Sequence, residues 1–116
     1  MNYMMRPSGM ARFDAARGTK TDLARGERLF LGLNCFEPGQ AQSAHTHADA
    51  DKFYLLLEGK ARMRIGDQVI TAEAGDLVWC PAGLLHGVED AIERTVMMVG
   101  ITRASGGPTA TAAGAE

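Results

Sequence analysis

The chain has 116 residues, of which 46% are hydrophobic and 22% charged, with a formal net charge of −2. That length suits one compact domain rather than two. No apolar run approaches the ~20 residues that a membrane-crossing helix needs, and Lys and Arg are scattered rather than clustered, so neither a membrane nor nucleic acid is an expected partner.

The opening segment, MNYMMRPSGM, lacks the uninterrupted apolar stretch of a secretory signal. A cytoplasmic location is therefore expected, with residues 1–10 as a flexible N-terminal segment. Asp14 to Arg25 is the one stretch with weak helical character. From Glu27 to Phe36, Leu29, Leu31, Leu33 and Cys35 alternate with Phe30, Gly32 and Asn34, which predicts a strand with one face on a core. Pro38-Gly39 ends it. Phe53 to Leu57 is a continuous aromatic and aliphatic run closed by Glu58-Gly59, the pattern of a strand buried on both faces. Ala61, Met63 and Ile65 then alternate with Arg62 and Arg64 up to Gly66-Asp67, after which Val69, Ile70 and Thr71 resume, as in a hairpin.

Ala74-Gly75-Asp76 turns the chain again, and Leu77 to Cys80 and Thr95 to Thr102 supply two further strands. Residues 103–116, RASGGPTATAAGAE, carry no large apolar side chain, so ordering them would cost entropy without a compensating gain. A disordered tail is expected there, leaving residues 11–102 as one all-β domain. The two cysteines, Cys35 and Cys80, read as reduced, buried small hydrophobes.

Two of the chain's three histidines form His45-Thr46-His47. In an extended strand, side chains two residues apart share a face, so both imidazoles point the same way and can take adjacent positions on one metal ion. Alone, the pair is a weak signal. Its surroundings add specificity. Residues 39–59, GQAQSAHTHADADKFYLLLEG, resemble the first cupin motif, G-x5-H-x-H-x(3,4)-E-x6-G, with Gly39, His45, His47 and Gly59 in register. Residues 75–90, GDLVWCPAGLLHGVED, resemble the second, G-x5-P-x-G-x2-H-x3-N, with Gly75, Pro81, Gly83 and His86 in place and Asp90 where Asn is usual. Fifteen residues separate Gly59 from Gly75, similar to the short spacer of compact microbial cupins.

The resemblance implies a double-stranded β-helix, the jelly-roll barrel of cupins, with His45, His47 and His86 around a divalent transition metal: Fe, Mn, Ni, Zn or Cu. It also implies a homodimer formed through an edge strand, for which the Glu27 to Phe36 segment is a candidate. The glycines have a reading of their own. Gly39, Gly59, Gly75 and Gly83 sit where the chain reverses and positive φ is often required, and Pro81 fixes the turn that delivers His86 to the next strand.

The family pattern supplies a carboxylate between His47 and Gly59, and this chain departs from it. Six residues separate Lys52 from Gly59, which puts Lys52 at the glutamate position. The shorter spacer makes Asp51 the candidate ligand instead, at the cost of a one-residue bulge. A lysine aimed at a divalent cation is repelled by it, and its burial needs compensation. Either Lys52 pairs with a neighbouring carboxylate, or Asp51 reaches the metal, or three histidines bind alone with open positions, or Lys52 serves an anionic ligand. Tyr54 shares the face of Lys52, and Trp79 and Met63 are candidates for the pocket wall.

Two kinds of function follow. One is a metal-dependent enzyme of the dioxygenase, decarboxylase or isomerase type acting on a small organic molecule. The other is a non-catalytic module that binds a metal or small molecule, with Lys52 contacting an anionic ligand.

Overall fold

The computed structural model describes residues 3–103. A short 3-10 turn, Pro7–Met10, precedes nine strands: β1 (Thr19–Arg25), β2 (Leu29–Phe36), β3 (Gln42–His45), β4 (Lys52–Glu58), β5 (Lys60–Ile65), β6 (Gln68–Glu73), β7 (Leu77–Cys80), β8 (His86–Ala91) and β9 (Thr95–Thr102). They form two antiparallel sheets, ordered β1-β2-β9-β4-β7 and β3-β8-β5-β6. The expected all-β jelly-roll is what the chain builds. Among the described residues, no helix is long and apolar enough to cross a membrane.

The hairpin read around Gly66-Asp67 forms with β5 and β6 paired from Lys60–Glu73 to Ile65–Gln68. Gly39, Gly59, Gly75 and Gly83 all have positive φ, between 85° and 96°. This is the left-handed region where a side chain is penalised.

Two cores result from strand alternation. Tyr54, Leu56, Met63, Cys80, Val88, Met97 and Val99 meet between the sheets. Leu33, Cys35 and Val96 lie on the outer face of the five-stranded sheet, where Met10, Phe13 and Leu23 cover them. Met10, the last residue of the segment expected to be flexible, packs on this outer cluster. Arg94 completes the cover, with its guanidinium 3.6 Å from the Phe13 ring centroid and an ion pair to Glu37. Of the expected disordered tail, all but Arg103 lies outside the described residues.

Three expectations need correction. The weakly helical stretch Asp14 to Arg25 is extended, and β1 pairs with β2 from Thr19–Cys35 to Arg25–Phe30. Leu23 is its only large apolar residue, so a helix would have no apolar stripe to bury, whereas the strand gains a ladder of backbone hydrogen bonds. The run Phe53 to Leu57 is fully buried on one face only: Tyr54 and Leu56 point inward, while Phe53, Leu55 and Leu57 are half-buried. Among the described residues no helical layer covers that outer face as it would in a doubly wound sheet. Finally, Glu27 to Phe36 is not an edge. β2 lies between β1 and β9, and its backbone groups are used on both sides.

Candidate metal centre

His45 and His86 come together through two β-bulges. Gln42 pairs with Val88 and His45 with His86, so β3 carries one residue more than β8 between the same rungs. Gln42 and His45 are an odd number of residues apart, and a regular strand would put them on opposite faces. The bulge reverses the parity, and both face the interior. β8 does the same against β5, where Arg62 pairs with Asp90 but Met63 with Val88. Ala91, in the inner core, and His86 are also an odd number of residues apart. The irregularity between them turns His86 inward.

Gly87 makes the first bulge possible. A Cβ there would lie 2.8 Å from Ala44 Cα and 2.8 Å from the Gln42 carbonyl oxygen. Only a residue without a side chain allows β3 and β8 to approach so closely.

His45 and His86, the end residues of their strands, are direct cross-strand partners with ring centroids 4.6 Å apart. His47 lies two residues past the end of β3, so the single-strand picture of His45 and His47 holds only for the first of them. The loop brings the His47 ring to 4.8 Å from His45 and 5.2 Å from His86. Its backbone is tied to the turn after Pro81, since the Gly83 N–H donates to the His47 carbonyl at 2.8 Å.

One ring nitrogen from each histidine lies within 4.8 Å of the others, and among the described residues this is the group able to hold a metal ion. Two bonds of ~2.1 Å span at most about 4.2 Å between donors, so the rings need only a small inward turn to share an ion. Their orientation suits that. His45 Nδ1 lies 2.9 Å from the Ser43 carbonyl and His86 Nδ1 2.9 Å from the Leu84 carbonyl. A carbonyl only accepts, so Nδ1 carries the proton in both rings and the Nε2 lone pair faces the interior. The Nε2 atoms of all three histidines are shielded from solvent. That of His86 finds no hydrogen-bond partner among the described residues. Burial pushes the His86 pKa down to about 4 despite the Leu84 hydrogen bond, with Lys52, His45 and His47 adding to the effect. At neutral pH this ring is a neutral donor, the form that binds metal.

Asp51 stands outside the histidine group. Its carboxylate Oδ1 accepts the Ala82 N–H at 2.9 Å, and its backbone N–H donates to Thr102 Oγ1 at 2.9 Å. The carboxylate thus holds the Pro81-Ala82-Gly83 turn that leads to His86. Lys52, the next residue, faces inward and is 0% exposed. Its Nζ lies 4.7 Å from the Tyr54 ring centroid, a cation–π contact worth about 2 kcal/mol when desolvated. Tyr54 is itself fully buried, with its ring 6.2 Å from that of His86. Its hydroxyl donates to Gln42 Oε1 at 2.9 Å. Burial raises the Tyr54 pKa, so the hydroxyl stays protonated.

The two residues proposed for the pocket wall divide. Met63 is buried in the inner core, but Trp79 is 55% exposed on the outward face of edge strand β7. Trp79 pairs with the outward Phe53, whereas its neighbour Cys80 pairs with the inward Lys52. Both thiols are free and buried. Burial pushes Cys80 up to about 11, against the pull of Lys52. Asp90, in place of the motif's Asn, makes a two-pronged contact with Arg62 at 2.7 and 2.6 Å on the outer surface. Sequence reasoning missed Gln42, because its odd spacing from His45 disguises their common face.

This architecture matches known proteins. Residues 32–101 match the family model described as a cupin domain. The protein TT1209 from Thermus thermophilus is 29% identical, with a TM-score of 0.81 over 85% of this chain and 95% of that one. A Klebsiella pneumoniae protein with a double-stranded β-helix domain is 16% identical and superposes with a TM-score of 0.82, covering 92% of this chain and 95% of that one, a likeness of fold alone. An uncharacterized protein of Streptomyces coelicolor is 28% identical over 69 residues, which are 60% of this chain and 65% of that relative's length. The matched segment runs from inside β2 to near the end of β9 and contains all three histidines; the chain belongs to the cupin family.

Proposed function

We propose that the protein binds a divalent transition-metal ion, of the Fe, Mn, Ni, Zn or Cu group, through the Nε2 atoms of His45, His47 and His86, and acts there on a small organic molecule. The observation that carries this reading is the convergence of three buried imidazoles, two of them oriented by Nδ1–H bonds to backbone carbonyls. Neutral imidazole sets of this kind suit those ions. A bound ion would supply Lewis acidity or oxygen activation, the chemistry of dioxygenase, decarboxylase and isomerase reactions.

The chain's own residues supply the rest. The Ser43 and Leu84 carbonyls fix the ring orientations of His45 and His86. Three histidines without a carboxylate leave coordination positions open. Lys52 stands at the position where a carboxylate is usual, and its ammonium favours an anionic group on the substrate over further positive charge.

The buried position of Lys52 also supports a second reading, a non-catalytic module in which Lys52 contacts an anionic ligand. A cytoplasmic setting, in which Cys35 and Cys80 stay reduced, belongs to both readings. So does a homodimer, with the edge role passing from β2 to β1.

Elemental analysis of the purified protein beside a His45→Ala, His47→Ala double variant tests the metal. The expected result is near-stoichiometric metal in the wild type and background in the variant. Equal content in both would remove the site. A Lys52→Glu variant is expected to bind metal more tightly, because it replaces a repelling charge with a ligand; unchanged affinity would count against Lys52 acting on the site.

A further inference from the structure

A cavity opens beside Gln42, the acceptor of the Tyr54 hydroxyl. Its volume is about 210 Å³, and its lining includes Arg17, Thr19, Lys20, Asn34, Phe36 and Gln42 but no histidine. An engineered cavity of about 150 Å³ takes up benzene, so this one has room for a small organic molecule with polar substituents.

Asn34 is the unusual group there. It sits in the middle of β2 on the inward face, is 1% exposed, and among the described residues neither its Nδ2 nor its Oδ1 has a hydrogen-bond partner. Buried side-chain amides are otherwise nearly always satisfied, and leaving both ends unmade costs folding free energy. A leucine of similar size would pack without that cost. An amide kept at this place, lining a cavity, points to a ligand that completes it.

The surrounding charge narrows the class. Lys20 is the direct cross-strand partner of Asn34, and Arg17 joins it in the lining. Among the described residues no acidic side chain lines the cavity, so the local field favours an anion. The amide adds a second requirement. Its Nδ2 needs an acceptor, which a carboxylate supplies, but its Oδ1 needs a donor, which a carboxylate lacks. The ligand must carry a donor as well, which a hydroxyl supplies, and Phe36 offers an apolar face for its carbon skeleton.

We propose that this cavity is a binding site for a small hydroxycarboxylate, held by the Asn34 amide and by the Arg17 and Lys20 charges. The site is separate from the histidine centre and does not depend on a metal.

The test uses the full chain with lactate and 4-hydroxybenzoate as probes, followed by titration calorimetry and by amide chemical shifts of β1 and β2. Saturable binding of at least one acid is expected at millimolar concentration, with shifts centred on residues 17–20 and 34–36. Asn34→Leu should weaken it by at least about tenfold, while its thermal midpoint equals or exceeds the wild-type value, because two unpartnered polar atoms are gone. Lys20→Glu, an exposed substitution that leaves the core intact, should weaken it too. The His45→Ala, His47→Ala variant should bind as the wild type does, so loss of the metal site leaves this result standing. The proposal is overturned if neither acid saturates and the cavity holds only ordered water. It is equally overturned if Asn34→Leu and Lys20→Glu bind as the wild type does, or if the double histidine variant abolishes binding.

Discussion

The pairing of β2 with β9 and that of β3 with β8 show two ways of building an antiparallel wall. The first runs through eight consecutive residue pairs, from Leu29–Thr102 to Phe36–Thr95, without interruption. Its residues divide cleanly, Phe36 and Val99 going to the inner core and Leu33 and Val96 to the outer one. The second is bulged within four residues of β3, and β8 is bulged again against β5. Regular pairing makes a rigid surface whose contacts follow from alternation alone. Bulged pairing gives up ladder hydrogen bonds and in return puts side chains at odd spacings onto one face. The histidines depend on the second kind of wall and are supported by the first.

The contrast is broken most completely at Gly87. Gly87→Val forces a side chain into the backbone of Ala44 and Gln42, so β3 must move away from β8. Metal content should fall to background, as measured by elemental analysis, with the far-UV circular dichroism retained at low temperature. A Gly87→Val protein that keeps full metal content would show that the bulge does not position His45.

The regular wall should behave in the opposite way. Leu33 is fully buried on the outer cluster, and Leu33→Ala is expected to cost about 3 kcal/mol in urea unfolding. Metal affinity of the folded protein should be unchanged. A large loss of affinity would mean that the two walls are mechanically coupled.

Next comes pH. Folded His86 titrates near 4, below its ordinary value of 6.5, so it is neutral in both folded and unfolded states above that ordinary value. As pH falls below 6.5 the unfolded chain takes up a proton that the folded protein resists, and stability drops until the folded pKa is reached. The metal-free protein should thus lose thermal midpoint between pH 7 and pH 4, and His86→Gln should flatten that profile. An unchanged profile would place the proton uptake elsewhere.

The smallest effect is expected at Asp51. Asp51→Ala removes the carboxylate that accepts the Ala82 N–H, at a cost of about 1 kcal/mol. Metal affinity should weaken only a fewfold, through loosening of the turn before His86. A loss as large as that of a histidine variant would instead mark Asp51 as a ligand.

Much of the molecule is legible in the amino-acid sequence. Gly39, Gly59, Gly75 and Gly83 mark turns because positive φ is a local property of the backbone. The hairpin around Gly66-Asp67 and strands β7 and β9 follow from alternation and turn residues, which also act locally. The three histidines and the lysine at the carboxylate position stood out by spacing. What spacing does not contain is parity across a bulge, and there the local reading fails. Gln42 is hidden from His45 by such a bulge, and which of Trp79 and Cys80 faces the interior is set by their pairing with β4 rather than by the local run.

By itself, then, the sequence determined where the chain turns, that most of its segments extend, and which side chains are fit to bind a metal. Only the tertiary structure decided that Thr19–Arg25 is a strand, that β2 is enclosed, and that His47 joins its partners from a loop. The physical reason is the range of the forces involved. Turn geometry and side-chain chemistry belong to a few neighbouring atoms, whereas strand pairing, bulges and burial are settled by partners far along the chain that compete for the same backbone hydrogen bonds.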